Sequence, residues 1–117
     1  MPNLAGADSV AIMYYNTPND PRFFRYVKEY DVQKMRQVIR DANGKVIAQR
    51  PDCATQGKIY FYEEKGAIDV LYFSNKDECM TFSFIITGEK YFVKMSAGSS
   101  ELLNKFQLLA RDPLGTN

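Results

Sequence analysis

Two cysteines, eight tyrosines and no histidine bound the chemistry this chain can attempt. Nucleophilic catalysis needs a nucleophile, a base within reach and donors for an oxyanion. Without histidine the usual base is missing, and neither Cys53 nor Cys79 has an imidazole to lower its thiol pKa. Ser99-Ser100 reads as a helix cap, not a nucleophile. Adjacent carboxylates at Glu63/Glu64 and Asp77/Glu78 have the composition for general acid–base work. Both pairs fall in expected turns, where solvation alone accounts for charge. Zinc asks for clustered Cys and His, and calcium for several oxygens on one loop. Two distant cysteines fail the first test, and Asn16, Asn19 and Asp20 carry too few carboxylates for the second. No glycine-rich loop follows an expected strand, so a nucleotide cradle has no support. The expectation is a protein that is not an enzyme and holds no metal or cofactor.

What remains is binding chemistry. Tyr14, Tyr15, Tyr26, Tyr30, Tyr60, Tyr62, Tyr72 and Tyr91 nearly all fall in stretches that read as strands. Two helices cannot cover both faces of a sheet, so one face is expected to present tyrosines. Tyrosine contributes large contact area at low entropic cost and keeps a polar tip, which suits protein recognition. The expected interaction surface is Tyr60, Tyr62, Tyr72, Thr81, Ser83 and Tyr91. The blander reading is that these rings only half-shield the sheet. Arg22-Phe-Phe-Arg-Tyr-Val-Lys28 interleaves basic and aromatic residues, as nucleic-acid readers do. A net charge of +1, from fifteen Lys and Arg against fourteen Asp and Glu, argues against that function. An edge strand guarded by Lys and Arg explains the same pattern. No run of eighteen apolar residues exists, so no membrane span is expected.

The elements that must position these residues follow from periodicity. Residues 9–15 and 22–30 read as strands, separated by a loop because Pro18 and Pro21 cannot donate to a ladder. Asp31 can cap a helix, and Val32, Met35, Val38, Ile39 and Ala42 then recur at helical spacing up to Asn43-Gly44. A hairpin across Asn43-Gly44 is the competing reading. Lys45–Ala48 reads as a short strand, and Arg50-Pro51-Asp52 breaks it. From residue 57 the pattern sharpens into four strands: 58–62, 68–73, 79–86 and 91–95. The connections are short, and parallel neighbours would need long crossovers, so these four form an antiparallel meander. Met80, Phe82, Phe84 and Ile86 mark its apolar face. Ser99 is the expected cap of a last helix carrying Leu102, Leu103, Phe106, Leu109 and Ala110.

The whole is expected to be one α+β domain over residues 9–112, with a flexible leader at 1–8 and a tail at 113–117. Its antiparallel sheet would have five to six strands and two helices packed on one face. The favoured function is a non-catalytic binding domain whose partner is another protein. The alternative is a cytoplasmic small-molecule binder with an apolar pocket between helix and sheet, lined by Phe82, Phe84 and Phe106. Localisation turns on the cysteines. The opening residues show no basic n-region and no apolar h-region. Cys53 and Cys79 stand at similar strand entries, and a bond between them would contribute about 3–4 kcal/mol by shrinking the unfolded ensemble. Bonded, they imply an oxidising, extracytoplasmic compartment, periplasm or cell surface. Two buried thiols would be compatible with the cytoplasm. Intact mass after alkylation, with and without prior reduction, separates the two. A bonded chain takes up alkylating groups only once reduced, and uptake without reduction would count against the bond.

Overall fold

The computed structural model describes residues 4, 6–47, 53–76 and 79–113. The expected breaker Arg50-Pro51-Asp52, the carboxylates Asp77 and Glu78, residues 1–3 and 5 of the leader, and residues 114–117 of the tail lie outside them. In chain order the elements are β1 (Ser9–Thr17), β2 (Asp20–Glu29), a 3-10 turn (Val32–Met35) running into α1 (Arg36–Ala42), and β3 (Val46–Ile47). There follow β4 (Gly57–Glu63), β5 (Gly66–Ser74), β6 (Thr81–Ile86), β7 (Glu89–Lys94) and α2 (Ala97–Gln107). Helix wins over hairpin at 31–43, and the Asp31 carboxylate accepts from the Gln33 N–H at its start.

All seven strands join one antiparallel sheet in the order β2-β1-β4-β5-β6-β7-β3. The expectation of five to six strands is therefore too low. The excess comes from β3, only two residues long, which pairs with β7 at the far edge of the sheet and not with a sequence neighbour. A single-residue bridge between Tyr26 and Arg111 extends the opposite edge. The expected loop between β1 and β2 is a two-residue turn at Pro18-Asn19, with Asn19 at φ +67°. Pro21 is tolerated because β2 is a peripheral strand, where a missing N–H need not break a ladder. The other tight turns also use left-handed backbone, at Gly66 and at Thr87-Gly88.

Both long connections cross the same face. α1 carries the chain from β2 at one edge to β3 at the other, and α2 returns it from β7 toward β2. Met35, Val38 and Ala42 from the first crossing and Leu103 and Phe106 from the second enter one core with the inward residues of the sheet. Register builds an unbroken inward row over seven strands: Arg25, Tyr14, Gly57, Phe73, Phe82, Val93 and Val46. Gly57 sits where the row is tightest, since a Cβ there would collide with the Met13 carbonyl oxygen and the Phe73 ring. The space it leaves lets Phe73 meet Tyr14 edge-on, with centroids 5.6 Å apart. Tyr14 then donates its hydroxyl to the Leu103 carbonyl of α2 at 2.6 Å. Burial pushes the Tyr14 hydroxyl pKa up, keeping it a donor.

Three expectations need correction here. The last helix is capped by Ser96, whose hydroxyl accepts from the Ser99 N–H; Ser99 lies inside the first turn. That helix ends at Gln107, so Leu109 points outward at 63% exposure. Leu4 and Ala7, placed by sequence in a flexible leader, are buried against the core.

Asp41 joins the two crossings. Its Oδ2 accepts from the Ser96 N–H at 2.9 Å, the Ser96 hydroxyl at 2.8 Å and the Ser99 hydroxyl at 2.5 Å, while Oδ1 accepts from Gln37 Nε2 at 3.1 Å. A carboxylate at the start of α2 also complements the helix dipole. Asp41→Ala strands the fully buried Ser99 hydroxyl and is expected to cost about 3 kcal/mol in denaturant unfolding, with Asp41→Asn losing less. Gly57→Ala should cost about 3 kcal/mol through overpacking. A midpoint equal to the parent's for either alanine variant would contradict the corresponding account.

Candidate functional site: the helix-free face of the sheet

The face turned away from the helices carries its own continuous row. Cross-strand partners run Tyr26, Met13, Lys58, Tyr72, Ser83, Phe92 and Ile47, one residue from every strand. At about 4.8 Å between strands this row is roughly 30 Å long. Alternation along β4 adds Tyr60 and Tyr62, whose rings lie 6.1 Å apart, and β1 contributes Tyr15. Neighbouring residues Val70 and Ile85 are apolar, and Ile85 is 55% exposed. Tyr15, Tyr26, Tyr60, Tyr62, Tyr72 and Phe92 are each half-buried.

Lysines stand among these rings. Lys58 Nζ lies 5.0 Å from the Tyr60 ring centroid, and Lys90 Nζ lies 5.7 Å from Tyr72 and 5.5 Å from Phe92. These are cation–π distances. Partial burial works against the Lys58 ammonium, but its hydrogen bond to Tyr60 and the nearby Tyr15 and Tyr72 hydroxyls outweigh it, and its pKa is raised. Tyr15 is raised by burial first, with Lys58 pulling the other way and Tyr72 and Tyr60 adding to the rise. The Lys58 ammonium thus stands among the Tyr15, Tyr60 and Tyr72 hydroxyls.

Of the residues expected at the surface, the structure brings Tyr60, Tyr62, Tyr72, Thr81 and Ser83 onto this face. Thr81 and Ser83 are buried floor between longer neighbours, not presented groups. Tyr91 is on the other face: it opposes Phe84 in register, stacks on its ring at 5.9 Å and donates its hydroxyl to Glu89 Oε2 at 2.9 Å. Phe92, one residue on, takes its place. Sequence reasoning also passed over Lys58, Lys90 and Met13. The signal was present as alternation, because Lys58/Tyr60/Tyr62 and Lys90/Phe92/Lys94 each share a face at two-residue spacing. Knowing which parity faced outward required the pairing of β6 with β7.

Elsewhere the chain offers less. Phe82, Phe84 and Phe106, expected to line a pocket, are packed in the core at 0%, 1% and 7% exposure, which leaves those rings no opening. A cleft of about 280 Å3 between the β1–β2 turn and α2 is lined by amides from Asn16, Gln56, Asn75, Asn104 and Gln107, beside Tyr15 and Lys76. Asn75 there is already bonded to Asn104, Ser100 and Gln56. A second cleft, about 340 Å3, places Lys34, Arg36 and Arg40 near the start of α2. The donors at that helix start are engaged by Asp41. Among the described residues no three Asp, Glu, Cys or His side chains converge as a metal would need. No helix among them is long and apolar enough to cross a membrane. Cys53 and Cys79 are joined as a disulfide, with Cα atoms 5.5 Å apart.

Comparison of the chain with known protein families, with curated proteins and with solved structures finds no match in any of the three.

Proposed function

We propose that this chain is a non-catalytic, exported binding domain that docks another protein on the helix-free face of its sheet. The observation that carries the reading is the cross-strand row from Tyr26 to Ile47, in which Tyr26, Tyr72 and Phe92 are partly exposed, Ser83 is buried floor, and Tyr15, Tyr60 and Tyr62 stand beside it. Monomers rarely leave a broad apolar face bare, and where they do it marks an interaction site. A face roughly 30 Å long is of the scale at which partners bury about 800 Å2 each. Tyrosine, phenylalanine and methionine are the residues enriched at such interfaces. Both helices lie on the other side, so a partner meets a face formed by one seven-stranded sheet and little ordering entropy opposes docking.

The disulfide supports export, since such bonds persist in oxidising compartments and are rare in the cytosol. The absence of histidine anywhere in the chain supports a non-catalytic role.

Site-specific photocrosslinking in the native host tests this. A photoreactive phenylalanine analogue in place of Tyr72 or Phe92 is expected to give the same discrete protein adduct. The same group in place of Glu101, exposed on α2, should give none. No discrete adduct from either sheet position, or an equal adduct from Glu101, would overturn the assignment.

A further inference from the structure

We infer that the partner's docking surface is acidic, a protein segment whose Asp or Glu side chains seat on Lys58, Lys90 and Lys94 between apolar contacts to the rings. This rests on the reading of the open face as a protein-docking surface and specifies what that surface selects.

Charge is the first ground. The outward positions of β1, β4, β5, β6 and β7 carry Lys58, Lys90 and Lys94 and no Asp or Glu. On β2 Lys28 adds a fourth cation, while Arg22 is neutralised by Asp20 at 2.9 Å. A second ion pair, Lys34 with Glu29, involves none of these four lysines. The chain as a whole is only +1, so positive charge is segregated onto the open face and the remainder is net acidic. A segregated field steers partners of opposite sign and rejects those of like sign.

Placement of the ammonium groups is the second ground. Lys58 and Lys90 are held over Tyr60, Tyr72 and Phe92 by cation–π contact. They enter a complex pre-positioned, so pairing with a carboxylate costs less side-chain entropy than pairing with a free lysine. The same contacts disfavour nucleic acid. Base stacking needs bare ring faces, and on Tyr60, Tyr72 and Phe92 the ammonium groups already lie over them.

The test uses the intact oxidised chain with poly-L-glutamate as probe, read by backbone amide NMR shifts. Shifts should concentrate at Lys58, Tyr60, Tyr72, Lys90 and Phe92, and affinity should fall roughly tenfold between low and physiological salt. Lys58→Gln with Lys90→Gln should weaken binding roughly five- to tenfold, while Lys65→Gln with Lys105→Gln should not. Shifts spread over the helices, equal weakening by both double variants, or tighter binding of single-stranded oligothymidylate at matched charge would overturn the acidic partner. Adducts from Tyr72 that persist unchanged in the Lys58→Gln, Lys90→Gln chain would leave protein docking standing and remove only its acidic character. No adduct at all would remove the docking itself.

Discussion

A single carboxylate holds the two helical crossings to one side of the sheet. Asp41 closes α1 and opens α2 at once, accepting from two serines at the start of the second helix while Gln37 holds its other oxygen. Neither helix is long. α1 spans 7 residues and α2 spans 11, lengths at which isolated helices are marginal. Packing their apolar stripes on the sheet stabilises both, and the shared carboxylate sets where they meet. With both crossings committed to that side, nothing in the described chain remains to cover the opposite face.

The sheet in turn depends on close approach at Gly57. Its missing side chain gives Phe73 room to lie over the strands, and Phe73 steadies Tyr14, whose hydroxyl reaches α2. Strand spacing, ring packing and helix placement are thereby linked through three residues from β1, β4 and β5. At the same end of the molecule the disulfide ties Cys53 to Cys79, so the segment before β4 and the segment before β6 cannot drift apart. A rigid sheet is what an open aromatic face requires. Were it pliable, the exposed rings would collapse onto one another or recruit a second sheet edge.

The two faces differ in kind, not only in burial. Inward, the row from Tyr14 to Val93 is buried. Outward, lysine ammonium groups stand over the Tyr60, Tyr72 and Phe92 rings, with small Ser83 forming the floor between Tyr72 and Phe92. In the proposed docking, aromatic area would supply adhesion and the lysines a sign.

Much of this architecture was legible in the sequence. Two-residue alternation marked the strands from 57 onward, three- and four-residue steps marked both helices, and short turns forced antiparallel neighbours. Tyr60, Tyr62 and Tyr72 could be placed on the open face because alternation within a strand is local. What pattern alone left undecided depended on distant pairing. Whether β3 joins the sheet rests on β7, nearly fifty residues on. Whether Tyr91 or Phe92 faces outward rests on register with β6, and a one-residue shift inverts the face of every side chain. Ser96 in place of Ser99 as the cap was decided by Asp41, fifty-five residues away. The sequence by itself determined the elements, because their periods are written in neighbouring residues. Only the tertiary structure decided which face stays open and which lysines stand on it, because those depend on contacts that no local pattern encodes.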